Sequence, residues 1–427
     1  MNPLPFVRAL LARNPRTVWL FAALVALASA LGIAISAQER ALRQGSARAA
    51  DGFDLIVAAP GSQTDLLMAT VYLRPGAVEL LPGPVAHRVL NDPDAAFAAP
   101  LAFGDSHGES PVVGTTAELV QHLGGDLAEG RVFARMNEAV VGALVETPIG
   151  AELAIHHGHG IEPGAGLDAD LAADLAAAPT HHDDHPQGAH GDHHEGDHEG
   201  VLVTGRMRPT GTPWDRVVIV PVEYVWSAHV MGTGHAPGDD RIGSPWQAEL
   251  MPGLPAIVMK PKGIADAYGL RARYRDAETM AFFPAETLTG LYEVMGQAAQ
   301  VMLALTLAAQ ILVIAAILAG ILAVLGLQRR SFAVLRALGA PAGYVFLSVW
   351  LYVAIMVMGG AAVGLPLGWA AAHLVSAMVA QRTGIAIVPM LGAPELMLAG
   401  LMVFCGLVLA LLPAWLCYRR PVVEALR

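Results

Sequence analysis

The chain has 427 residues, 54% of them hydrophobic and only 15% charged, a balance that points to a membrane protein with room for a sizeable extramembrane domain. Its net charge of −11 argues against nucleic acid as a partner. Both cysteines, Cys405 and Cys417, lie in or at the end of the last apolar run, so the hydrophilic part owes nothing to disulfides.

Arg8, Arg13 and Arg16 precede the charge-free run Thr17–Ala37. That run is about the length needed to cross ~30 Å of hydrocarbon. A cleaved signal peptide is the competing reading, because Ala28-Ser29-Ala30 and Ser36-Ala37 resemble cleavage sites. The run is long for a signal core, and an uncleaved anchor is the expectation. Residues 38–293 then form one hydrophilic region with 16 Lys and Arg against 35 Asp and Glu. Elsewhere nine arginines (Arg8, Arg13, Arg16, Arg329, Arg330, Arg336, Arg419, Arg420 and Arg427) stand in three short segments against Glu424 alone. Basic segments favour the cytoplasm, so both termini are expected inside and the acidic region outside.

Within that region Asp54–Ser62 reads as a strand closed by a Pro60-Gly61 turn, and Leu66–Leu73 runs on toward a second turn at Pro75-Gly76. Val217–Val222 reads as a buried strand after the turn Thr210–Arg216. Alternating short strands and helices predict an α+β domain. A low-complexity insert at about 156–200 divides it, which predicts two lobes.

Val294–Gln328 is 35 residues without a charge. As one helix it would be ~52 Å long, roughly 20 Å more than the hydrocarbon thickness. The excess is expected to project outward as a stalk, unless the helix breaks at Gly296 or Gly320. The third span, about 343–372, contains Gly359, Gly360, Gly364, Pro366 and Gly368, which permit close packing and local kinks in lipid. His373 near its outer end reads as interfacial. Gln381–Pro394 makes a short outer loop, and the fourth span, about 395–418, ends on Trp415 and Tyr418 at the inner interface. The fold class expected is thus a membrane protein with four transmembrane α-helices plus a large α+β extracytoplasmic domain. Residues 1–37 hold the N-terminus and first helix, 38–293 the outer domain, and 294–427 the remaining three helices.

Between the second and third spans stands Gln328–Pro341, QRRSFAVLRALGAP. Arg329, Arg330 and Arg336 are costly in hydrocarbon. Phe332, Leu335 and Leu338 recur at helical spacing, and Gly339-Ala340-Pro341 ends the pattern. A short amphipathic cytoplasmic helix over 329–339 is the reading. Leu335–Ala340 (LRALGA) and the closing run from Pro413, with Arg419-Arg420 and then Pro421-Val422-Val423-Glu424-Ala425-Leu426-Arg427, resemble the signature motifs of FtsX-like ABC transporter permeases, the group of the macrolide-exporter and lipoprotein-release permeases with a periplasmic core domain. Upstream, Gln328–Phe332 lacks the acidic residue usual in that family. Asp54–Ser62, Val140–Gly142, the pair His157-Gly158 and Thr210–Arg216 are similar to the outer domains of one subgroup.

The resemblance implies an inner-membrane, multi-pass permease, likewise with both termini cytoplasmic. It implies a cytoplasmic ABC ATPase that docks on Arg329, Arg330, Phe332, Leu335, Arg336, Leu338 and Gly339, a homodimer, and mechanical coupling across the membrane to a periplasmic or lipoprotein partner. The chain carries no phosphate-binding loop of its own, because G-x-x-x-x-G-K-[ST] needs a lysine before Ser or Thr. The only lysines, Lys260 and Lys262, precede Pro261 and Gly263. No catalytic residue and no covalently bound cofactor is expected, and ATP enters through the partner subunit. The cargo stays open among divalent metal, lipoprotein, peptide and lipid. An alternative is an ATPase-driven signalling or scaffold protein that regulates a periplasmic partner such as a cell-wall hydrolase.

His181–Gly200 holds seven of the sixteen histidines and six carboxylates. Imidazole and carboxylate together suit Zn2+ or another divalent metal. The candidate ligands are His156, His157, His159, His181, His182, His185, His190, His193, His194 and His198. His194-Glu195-Gly196-Asp197-His198 matches H-E-x-x-H in form. That motif needs a helix, which Gly191, Gly196 and Gly200 oppose, so a protease is not expected.

Overall fold

The computed structural model describes every residue except 1, 14, 75, 158–199, 294–299, 302, 303, 305, 306, 309, 310, 312–314, 316, 317, 319–338, 384–387, 413 and 416–427. The chain forms two compact units: Met1–Ala47 with Thr289–Arg427, and Arg48–Leu288.

The second unit is built on one mixed sheet. Its described strands are β1 (Leu55–Ala58), β2 (Ala95–His107), β3 (Ser110–Thr115), β4 (Glu129–Gly130), β5 (Glu138–Val141), β6 (Glu152–Leu153), β7 (His156–His157), β8 (Val201–Arg206), β9 (Val218–Pro221), β10 (Ala256–Pro261) and β11 (Met280–Phe282). They join in the order β11-β1-β10-β2-β3-β9-β5-β8-β4, with β6 beside β8 and β7 beside β2. All four residues of β1 (Leu-Ile-Val-Ala) and of β9 (Val-Ile-Val-Pro) are buried. An apolar run without alternation fits a strand covered on both faces. Pro221 sits last in β9, where a missing N–H costs the ladder least. Ser62 caps the following helix, Gln63–Thr70, by accepting the Asp65 N–H at 3.2 Å.

The expected two lobes are not found. The insert lies between β7 and β8, yet strands from before and after it alternate across the sheet. β5 runs parallel to β8, β3 runs parallel to β9, and β2 pairs with β10. One buried cluster accordingly joins Val57, Val112, Val141, Val203, Val220 and Ile257. Composition marked where the tract interrupts the sequence, but neighbouring strands are chosen by long-range pairing, which a tract between them does not cut.

Two motifs singled out in the sequence meet here. Asp215 of the turn Pro213–Arg216 is buried, and its carboxylate accepts from the Thr210 hydroxyl, the Thr210 N–H and the Gly211 N–H, each at 2.7 Å. Gly142 donates to the Val217 carbonyl at 2.8 Å. A side chain at Gly142 would collide with the backbone of Trp214 and Asp215, its Cβ only 2.5 Å away. The Val140-Val141-Gly142 end of β5 therefore seats the turn that buries Trp214.

In the first unit two helices are long and apolar enough to cross a membrane, Pro15–Ala50 and Ala342–Thr383, with mean hydropathies of 2.5 and 2.1 over their best windows. A shorter apolar helix covers Ala393–Leu409. Both long helices outrun the spans read from the sequence. At about 1.5 Å per residue, 36 and 42 residues are roughly 54 and 63 Å long. Charge marks where hydrocarbon ends, not where a helix must stop. Glu39, Arg40 and Arg43 therefore continue the first helix, and Arg43 pairs with Glu39 at 3.0 Å one turn away.

Gly360, Gly364 and Gly368 form a small-residue stripe on the second long helix. A Cβ at Gly360 would lie 2.5 Å from that of Val25, and one at Gly364 2.6 Å from that of Ser29. At Gly368 it would lie 2.9 Å from the Ala30 Cα. The two backbones are in direct contact along this line, the packing that small residues at a spacing of four allow in lipid. Pro366 lies inside the helix, between the second and third of these glycines.

Candidate functional site

Of the seven residues expected to meet an ATPase, Gly339 is described. Arg329, Arg330, Phe332, Leu335, Arg336 and Leu338 lie outside the described residues. Gly339 has φ +96°, a conformation glycine adopts without strain, and the helix Ala342–Thr383 begins three residues later. The Gly-Ala-Pro end read from the sequence is thus a real chain reversal. Ala340 behind it is buried.

An element that sequence reasoning missed packs beside it. Leu4–Arg13 is a separate helix that buries Val7 and Leu10 in one cluster with Val345 and Val349. Its Phe6 ring lies 6.3 Å from that of Tyr344. The apolar spacing at 4, 7, 10 and 11 carries the signal, hidden by the arginines that also mark the topology.

Far along the same unit, a polar knot ties the first long helix to the start of Ala393–Leu409. Glu395 is fully buried and accepts from Arg40 at 2.7 Å, from Ser36 at 2.9 Å and from the Gly392 N–H at 2.9 Å. Arg40 also donates to the Met390 carbonyl. Ser376 on the second long helix donates to Gln38 at 2.9 Å. A buried charge set in this way is strongly destabilising to break from one side.

In the sheet unit, His156 and His157 form β7, and His159, His181, His182, His185, His190, His193, His194 and His198 lie outside the described residues. Among the described residues no three His, Cys, Asp or Glu gather as a metal-binding group. β7 pairs with β2 so that His157 lies opposite Asp105 and His156 opposite Ser106. Asp105 is buried, and its Oδ1 lies 3.0 Å from His229 Nε2. The charge of Asp105 and, more strongly, burial hold the Tyr224 phenol above its ordinary pKa. His107 places Nδ1 2.7 Å from the Ala154 carbonyl.

Two further carboxylates are set by the fold. Glu223, at the start of the helix Val222–Ala228, accepts from Trp246 Nε1 and the Gly243 N–H, both at 2.7 Å, with His235 Nε2 3.6 Å away. Burial pushes its carboxyl up despite these donors. Glu138 takes both arms of Arg131, at 2.6 and 2.8 Å, and the Ala134 N–H at 2.7 Å. Those bonds outweigh desolvation and hold its pKa down to about 2.

Residues 301–422 match the family described as FtsX-like permease C-terminal. The matched stretch takes in the LRALGA motif, the glycine stripe and Ala393–Leu409. By this match the chain belongs to the FtsX-like permease family, membrane proteins of the ABC transporter type. No curated protein matches the chain.

Proposed function

We propose that this chain is the permease subunit of an ABC system, driven by a separate cytoplasmic ATPase that docks on residues 329–339. The observation that carries the reading is the family match over 301–422. In this reading the chain crosses an inner membrane four times and works as a homodimer, with both termini and the docking segment inside. The apolar residues Phe332, Leu335 and Leu338 fill a groove on the ATPase, and Arg329, Arg330 and Arg336 meet acidic groups around it. ATP-driven closure of the two ATPases moves the long helices, and through them the acidic sheet unit outside. The histidine-rich insert links that motion to a divalent metal, with zinc the best chemical fit.

The test is copurification. Leu335→Asp and Leu338→Asp place a carboxylate in the apolar face and are expected to lose the ATPase while the permease stays in the membrane. Undiminished copurification would overturn the docking assignment.

A further inference from the structure

We propose that Asp105 and His229, with His157 set opposite Asp105 by strand register, form a structured site for one divalent cation of the zinc class, apart from the histidine-rich tract. The proposal deepens the metal-linked reading above and rests on it for its biological sense.

The argument starts from how the two side chains are delivered. Gly104 has φ +142°, and the β2–β3 register shifts between Phe103 and Asp105. Such a bulge re-aims the side chain that follows it. Asp105 is thereby buried inside the unit, on a strand that elsewhere carries small apolar residues. His229 comes from a different element, the residue that closes the helix Val222–Ala228, where its N–H donates to the Val225 carbonyl at 3.2 Å. The next residue, Val230, is a β-branched residue held at φ 57°, so the chain leaves His229 through a costly conformation.

The separation is the second point. Two ligands bound to one tetrahedral ion at about 2.0–2.2 Å lie roughly 3.3 Å from each other. Asp105 Oδ1 and His229 Nε2 already stand 3.0 Å apart. A cation could replace the shared proton with a shift of a few tenths of an ångström. Access is provided as well, for the Asp105 side chain is 0% exposed while that of His229 is 35% exposed. An ion would meet the imidazole from solvent and the carboxylate from within.

Register supplies the third residue. His157 is the direct partner of Asp105, and directly opposed residues share one face of an antiparallel pair. An aspartate with two histidines is a donor set that zinc-class ions accept, with one position left for water or for a donor handed over from elsewhere. The histidine-rich tract begins just after His157 in the chain, so captured ions arise next to this site in sequence.

The experiment uses the full chain in detergent micelles and a chain lacking 181–199, titrated with Co2+ as a spectroscopic probe and with Zn2+ in competition. The shortened chain is expected to bind one ion per protomer. Asp105→Asn, His229→Gln and His157→Ala in that background are each expected to weaken binding by on the order of 100-fold. His229→Cys keeps a ligand atom, so it is expected to retain the ion and add a cobalt–thiolate charge-transfer band, which a misfolded chain would not show. Binding by the full chain with none by the shortened chain would sink this site and leave the metal-linked reading to the tract. Binding that ignores the Asp105 and His229 substitutions would sink it too. No binding by either chain would remove both.

Discussion

Gly364→Ala is the sharpest probe of the membrane unit. Its new Cβ would stand 2.6 Å from both the Ser29 Cβ and the Ala26 carbonyl oxygen. Ordinary carbon contacts are about 3.5–4.0 Å, so the shortfall is roughly 1 Å. A backbone oxygen cannot swing aside, and the two long helices must part. Overpacking of this kind costs about 1–3 kcal/mol. Gly359→Ala, one residue away, supplies the control, because its Cβ would meet nothing within 4 Å. Both substitutions gain the same helix preference of about 1 kcal/mol. The difference between them therefore isolates the packing term. Equilibrium unfolding in mixed micelles with rising denaturing detergent, followed by tryptophan emission, reads that difference. Gly364→Ala is expected to be less stable than Gly359→Ala by about 1–3 kcal/mol. Equal midpoints would refute the claim that this stripe holds the helices together.

Three more predictions concern single polar groups. Glu138→Gln is expected to destabilise the chain by about 2 kcal/mol at neutral pH, because a buried carboxylate with bidentate Arg131 becomes a neutral amide. The Glu138 carboxyl is depressed to about 2 from an ordinary 4.5, so its contribution is full above pH 4.5 and is lost as the pH falls toward 2. Unfolding midpoints of the native and Gln chains should converge over that window, and a constant gap would contradict the assignment. Asp215→Ala strips the acceptor from three donors at 2.7 Å and is expected to cost about 2–3 kcal/mol, read as a lowered thermal midpoint of the full chain. Glu395→Leu leaves Arg40 without its buried partner and is expected to cost about 3–5 kcal/mol, with Arg40→Met in the same chain recovering much of it. Failure of that rescue would show the pair to be incidental.

Local features were legible in the sequence and long-range ones were not. The strands at Leu55–Ala58 and Val218–Pro221 were readable because an unbroken apolar run beside a turn has few other uses. The glycines of the second long helix announced close packing, although not that Ala22, Val25, Ala26 and Ser29 would be the surface they meet. Helix ends were read too short, since charge was taken as the boundary and the Glu39–Arg43 turn stays helical outside the apolar stretch. The single sheet was missed because its adjacent strands come from opposite sides of the insert. The Asp105–His229 pair was invisible for the same reason. Its members are 124 residues apart, and neither belongs to a motif. Most of the ATPase-docking residues lie outside the described residues, so their reading still rests on the resemblance and the family match.

The central claim is that the LRALGA segment faces the cytoplasm, where an ATPase can reach it. Cysteine placed at Arg330 or Arg336, in a chain with Cys405 and Cys417 changed to alanine, can be probed with a membrane-impermeant maleimide in whole spheroplasts and in lysed ones. Labelling only after lysis is the result the account predicts. Labelling of the intact spheroplasts at either position would contradict it.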